Sequence, residues 1–78
     1  MPFKTDDMTL DELAKKFSET ILNAPHLERI TMAILFGIKY CDFINQVGAT
    51  NVVKESGINK EYYGEIRRGV NLAKYIKY

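Results

Sequence analysis

Few side chains in this 78-residue chain are able to do chemistry, and their types favour binding over catalysis. His26 is the only histidine and follows Pro25 at a helix start, where a surface or capping role suits it better than proton transfer. Cys41, the only cysteine, falls on an apolar helical face and is expected in the core as a small hydrophobe. A zinc site takes about four ligands, which one Cys and one His do not supply. The acidic pairs Asp6-Asp7 and Asp11-Glu12 sit at a helix start, where the helix dipole accounts for them. No glycine-rich phosphate loop is present. No catalytic residue, metal or cofactor is therefore expected. The residues left are those that hold a partner: Asn59, Lys60, Glu65 and Arg68, with Thr50, Lys54, Tyr62 and Arg67 beside them. Asn pairs bidentately with adenine, Lys and Arg reach guanine or phosphate, and Glu accepts from cytosine N4.

The elements that would carry these groups are two short helices around Gly57. The run A-T-N-V-V-K-E-S-G-I-N-K-E-Y-Y-G-E-I-R-R-G has helix-turn-helix spacing, with Gly57 where the chain reverses at positive φ. Val52 and Val53 before the glycine, and Ile58, Tyr63 and Ile66 after it, direct apolar side chains into the angle between the helices. Thr50 is placed to cap the first helix, over about 50–56, and Asn59 the second, over about 60–68. Gly69 is expected to end the second at the C′ position, behind Arg67 and Arg68 in its last turn. That leaves Lys60, Glu61, Gly64, Glu65 and Arg68 on an outer face suited to a major groove.

The rest of the chain supplies the scaffold. Residues 1–8 are expected to be a disordered lead-in, and 9–78 a single helical domain. Thr9 and Glu12 form a capping box for a helix over 9–23, with Leu10, Leu13, Phe17, Ile21 and Ala24 as its buried stripe. Ala24-Pro25 ends it. A second helix is expected over about 27–44, with Leu27, Ile30, Ala33, Ile34, Ile38, Cys41 and Ile44 on one face. Met32, Leu35, Phe36, Tyr40 and Phe43 make it apolar nearly all round, as a central helix would be, and Gly37 is where a break would fall. Residues 46–49 connect it to the motif. Residues 70–78 suit a fifth helix through Val70, Ala73 and Ile76 better than a short strand.

Each candidate has a plainer role beside the functional one. Asn59 is a cap before it is a base contact, because Asn is so strongly preferred there. Glu61 and Glu65, four residues apart on the outer side, repel phosphate and count against a nucleic acid. Gly64 in mid-helix either lets a partner's backbone approach or packs on a neighbouring helix, the second being commoner. The five tyrosines are mostly core residues with a wet hydroxyl, Tyr62 being the one candidate for phosphate.

Composition sets the bounds. A chain of this length buries only about 60% of the surface its unfolded form exposes, enough for one helical core and too little for a roomy catalytic cavity. The net charge of +1 is unevenly spread: residues 1–48 carry −2 and residues 49–78 carry +3, so the basic excess lies on the half with the motif. No apolar run reaches the roughly 18 residues of a membrane span, and the start lacks a signal peptide's apolar stretch. A lone cysteine fits a reducing cytoplasm.

Residues 49–69 resemble the helix-turn-helix superfamily at its repressor-like end, through Val52, Gly57, Ile58, Tyr63 and Ile66. Val53, where a small residue is usual, and Tyr63, where a β-branched aliphatic is usual, depart from that pattern. N-A-P (23–25), L-F-G-I-K-Y (35–40), E-I-R-R-G (65–69) and L-A-K-Y (72–75) extend the likeness to a small helix-turn-helix-like domain of bacterial proteins, some tied to restriction-type DNA processing. The resemblance implies a DNA-recognition or assembly module with no catalytic residues. The expectation is an all-α domain of four to five helices that binds double-stranded DNA, as a transcription regulator or as part of a larger DNA-processing system. The alternative is a protein–protein interaction or homodimerisation module; an enzyme is a distant third.

Overall fold

The computed structural model describes residues 8–76, so most of the proposed lead-in, Lys77 and Tyr78 lie outside the described residues. Within them the chain is all-α, with five helices: α1 Leu10–Asn23, α2 Arg29–Lys39, α3 Cys41–Val47, α4 Ala49–Ser56 and α5 Tyr62–Leu72. Short 3-10 turns precede α2 (His26–Glu28) and follow α5 (Ala73–Tyr75), so the tail continues as helix.

α1 begins where its capping box requires. The Thr9 hydroxyl accepts from the Glu12 amide at 3.1 Å, and the Glu12 carboxylate accepts from the Thr9 amide at 3.0 Å. Leu13, Ala14, Phe17 and Ile21 then bury one face, and the helix stops at Ala24 before Pro25. Met8, assigned to the lead-in by sequence, packs against the core instead.

Phe17 stands at the centre, fully buried, its ring 5.1 Å from Phe36 on α2 and 6.4 Å from Tyr62 on α5. Around it Leu13, Ile21, Ala33, Ile44, Val52 and Ile66 close one continuous core. Cys41 is not among these residues: it is half-buried at the start of α3. Leu27, expected on the buried face, is 92% exposed, because His26–Glu28 turns away before α2 begins.

The long second helix is two helices, and the break falls at Tyr40 rather than at Gly37. Tyr40 leaves the helical region (φ −111°, ψ 26°) while its neighbours keep their bonds, Tyr40 N–H to the Phe36 carbonyl and Ile44 N–H to the Tyr40 carbonyl. Gly37 instead lets α2 and α5 touch backbone to backbone. A Cβ there would meet the Ile66 carbonyl and lie 3.0 Å from the Gly69 Cα. Gly69 makes the reciprocal approach to Ile34 and Gly37, buried inside α5 rather than ending it at a C′ position. This is the most extensive helix pairing in the molecule, and α1 on α4 is the next.

The connection before the motif shrinks to one residue, Gly48, which ends α3 and opens α4 at φ 92°. Thr50 therefore lies inside α4 and is not its cap. The Asn51 side chain instead donates to the Val47 carbonyl at 2.7 Å, satisfying the end of α3.

Candidate nucleic-acid interface

α4 and α5 form the expected unit, and the turn between them is held by its own side chains. Gly57 takes the left-handed conformation (φ 75°, ψ 6°) that a glycine adopts without steric cost. The Ser56 hydroxyl donates to the Val53 carbonyl at 2.7 Å and accepts from the Ile58 amide at 3.1 Å. The Asn59 carboxamide oxygen accepts from the Glu61 amide at 2.9 Å. Lys60 and Glu61 lie in a tight turn rather than in helix, closed by Tyr62 N–H to the Asn59 carbonyl and Tyr63 N–H to the Lys60 carbonyl. Helix proper starts at Tyr62, two residues later than the sequence indicates.

Ile66 points inward and Lys60, Glu61, Gly64 and Arg68 outward as expected, but the two tyrosines exchange places. Tyr62, not Tyr63, points inward: it packs on the core with Phe17, in line with Ile66 and Gly69 at four- and three-residue spacing. As a phosphate candidate it is half-buried and committed to that packing. Tyr63 lies outside, and its hydroxyl accepts from Arg67 Nη1 at 3.3 Å, with the guanidinium 6.0 Å from the ring centroid. Tyr63 thus fixes a basic side chain on the outer face, a role sequence reasoning missed. The signal was there as an aromatic–arginine pair at i, i+4.

Glu65, the second carboxylate counted against a nucleic acid, is drawn partly inside. Its Oε1 is shielded from solvent and makes no hydrogen bond. Of the two outer acids Glu61 is exposed and Glu65 half-buried. Lys54, Lys60, Arg67 and Arg68 are all exposed, as is Thr50. Thr50, Lys54 and Lys60 line one groove with Val53, Gly57, Ile58 and Tyr63, of ≈ 490 Å³ between α4 and the start of α5. Arg67 and Arg68 line a second hollow further along α5, of ≈ 560 Å³, with Gly64, Asn71, Leu72, Lys74 and Tyr75. Asn71 and Lys74 extend the outer face past Gly69, where the sequence placed the end of the helix.

Two details bear on chemistry. Capping engages the Asn59 oxygen, so bidentate pairing with adenine competes with the turn, while the amide nitrogen stays free to donate. Gly64 faces open space within 4 Å, so it does not pack on a neighbouring helix. Among the described residues no group of three or more His, Cys, Asp or Glu is placed to hold a metal. No helix there is long and apolar enough to cross a membrane. Burial, with the Asp42 carboxylate 3.7 Å away, pushes the Cys41 thiol up from its ordinary range, the opposite of a reactive thiolate.

Five helices around one core, with α4, a glycine turn and α5 presenting an open outer face, define a helix-turn-helix-type domain. Residues 9–78 match the family described as HTH-like domain, and the chain belongs to that family. No curated protein and no solved structure matches it.

Proposed function

We propose that this chain binds double-stranded DNA, with α5 in the major groove and α4 across the backbone. The observation that carries the proposal is the exposed basic series Lys54, Lys60, Arg67 and Arg68 on the outer side of α4 and α5, from which Glu65 is partly withdrawn. Lys60, the free amide of Asn59 and the Tyr63-held Arg67 are nearest the bases, followed by Arg68. Thr50 and Lys54 sit where the preceding helix meets phosphate. Gly64 lets the α5 backbone approach the groove wall. The domain acts by binding rather than by catalysis. It serves as a regulator, or as the recognition module of a larger bacterial DNA-processing system, in the cytoplasm.

A fluorescence titration of duplex DNA at low and moderate salt tests this. Neutralising about three to five phosphates gives a log–log salt slope near −3 to −4.5. Lys60→Ala and Arg67→Ala weaken binding, and loss of sequence preference marks whichever reads a base. Lys15→Ala with Lys16→Ala, on exposed positions of α1, leaves binding unchanged. Absence of binding at low salt would falsify the proposal and leave the domain as a protein-interaction module.

A further inference from the structure

We propose that the groove between α4 and the start of α5 binds a small aromatic carboxylate, which displaces DNA from the same lysines. The displacement rests on the DNA-binding proposal; the ligand site does not. Thr50, Val53, Lys54 and Gly57 follow one another at three- and four-residue spacing, so they form one face of α4 and its turn. Ile58, Lys60 and Tyr63 line the other side, from the turn and the first turn of α5. The space between them, ≈ 490 Å³, falls within the range of about 300–1,000 Å³ typical of ligand sites. Its floor is apolar: Val53 is buried and Ile58 half-buried. Gly57 keeps the space open, since a Cβ there would meet nothing within 4 Å. Two other hollows lack this form. Every residue lining the one along α5 is exposed, so a ligand there lies on a surface rather than in a recess. The one beside α1 sets Glu19 and Glu28 against Lys16, which leaves it no preference for an anion.

Charge and shape select the ligand. Lys54 on one wall and Lys60 on the other are exposed, and among the described residues lining the groove none is a carboxylate. Lysine stems lie along apolar surface while their ammonium groups stay in water, so two cations rim an apolar recess. An anion with an apolar body meets both features. Its carboxylate takes charge-assisted hydrogen bonds from the lysines, with the Thr50 hydroxyl as a further donor, and its body covers Val53 and Ile58. Tyr63 favours a flat body. Arg67 Nη1 donates to its hydroxyl, which fixes the ring at the groove wall, and aromatic rings pair in offset or edge-on contact. A bare phosphate would use the lysines and leave the floor wet; a neutral aromatic would do the reverse. Thr50, Lys54 and Lys60 are also groups assigned to DNA, so an occupied groove takes them from the duplex.

Amide NMR shifts of the full chain, titrated with naphthoate, are the test. Saturable shifts are expected at Val53, Lys54, Gly57 and Ile58, with a Kd of roughly 0.1–1 mM for a ligand of that size. Octanoate, which shares the charge, and naphthylmethylamine, which shares the rings but is a cation, bind markedly more weakly. Lys54→Gln and Lys60→Gln each raise the Kd by about two- to fivefold, as exposed charge contacts do, with unchanged thermal midpoints showing that the fold persists. Tyr63→Ser raises it as well, and Lys39→Gln, at an exposed position outside the groove, leaves it unchanged. No saturable shift at ten times the expected concentration overturns the proposal. A response that octanoate or the amine matches, or that Lys39→Gln weakens as much as the groove lysines do, overturns it equally. In a duplex titration at low salt, naphthoate should raise the apparent Kd for DNA in step with its occupancy of the groove. Ligand and duplex bound together, neither weakening the other, overturn the displacement. A chain that binds DNA but not naphthoate sinks this proposal alone. A chain that holds naphthoate in the groove yet binds no DNA at low salt supports the ligand site and sinks the DNA-binding proposal, displacement included.

Discussion

Phe17 and Cys41 both lie on apolar stretches of helix, but only Phe17 reaches the centre of the core, and the consequences of each position are measurable. Phe17 touches Phe36 and Tyr62 from a fully buried position, so it joins three helices at one point. Phe17→Ala should cost about 3–5 kcal/mol, most of what a domain this small has to lose, read from urea or thermal unfolding. A loss below about 1 kcal/mol would mean that the neighbouring rings close the cavity or that Phe17 is not central. Cys41 is half-buried, and burial followed by the Asp42 charge raises its thiol above the ordinary range. Its alkylation should therefore be slow at neutral pH, rising only at a higher pH than that of an unstructured thiol. Asp42→Asn should move that profile back down, since the carboxylate disfavours the thiolate. A profile matching a free peptide thiol would show that Cys41 is more open than its position implies. The periodic pattern gave Phe17 correctly because it sits mid-helix among apolar neighbours. It misjudged Cys41 because residues 27–44 are two helices, and the break at Tyr40 resets the face on which position 41 falls.

At the scale of the element, the glycines carry what composition alone does not separate. Gly57 was legible: a turn that reverses between two helices requires positive φ, and the residue type announces it. Gly37, Gly64 and Gly69 look alike in sequence, each inside or beside a helical pattern. Only the packing distinguishes them, because close approach between α2 and α5 is a contact between residues some thirty positions apart. The same long-range contact explains why Tyr62 rather than Tyr63 faces inward. Both stand at helical spacing from Ile66, and the α2 seam, centred on Ile66 and Gly69, decides between them. The outer face was thus legible at Lys60, Glu61, Gly64 and Arg68, and misread at the tyrosines and in part at Glu65. Lys60, Arg67 and Arg68 were found, while Tyr63, Asn71 and Lys74 were missed with the helix end misplaced at Gly69. Paired substitutions expose the difference. Gly64→Ala, with open space around its Cβ, should stabilise by roughly 0.5–1 kcal/mol. Gly69→Ala meets the Ile34 carbonyl and the Gly37 backbone, which have no rotamer by which to move aside. Overpacking of about 1–3 kcal/mol outweighs the propensity gain there, and the thermal midpoint should fall. Equal responses at the two positions would contradict the close α2–α5 approach.

Across the whole molecule, the outer face of α5 carries an exposed Glu61 among its cations, while two carboxylates meet elsewhere. Glu55, in the last turn of α4, lies against Asp11, in the first turn of α1, where the second-largest helix pairing in the fold brings their ends together. A hydrogen bond shared with Asp11, and then the Asp11 charge itself, raise the Glu55 carboxyl above its ordinary value. The sign of the consequence follows from linkage. A carboxyl whose folded pKa exceeds its unfolded one binds a proton more readily in the fold. Its stabilising contribution is fully present below the unfolded value and is lost as pH rises through the folded one. Where Glu55 carries its charge, its contact with Asp11 works against the α1–α4 packing. Asp11 has a compensation, since it sits at the positive end of the α1 dipole; Glu55 stands near the negative end of α4 and has none. Removing the charge at Glu55 is therefore the informative change. Glu55→Gln should raise the thermal midpoint at pH 7 and above, with the gain shrinking as pH falls through the carboxylate range and vanishing below it, where the wild-type group is protonated as well. Asp11→Asn should gain less, because it gives up the helix-dipole interaction along with the repulsion. Both side chains are exposed, so added salt should shrink the neutral-pH gain of Glu55→Gln. A Glu55→Gln chain that tracks wild type at every pH would place the two carboxylates apart in solution, and with them the ends of α1 and α4 that set the angle of the helix-turn-helix against its scaffold.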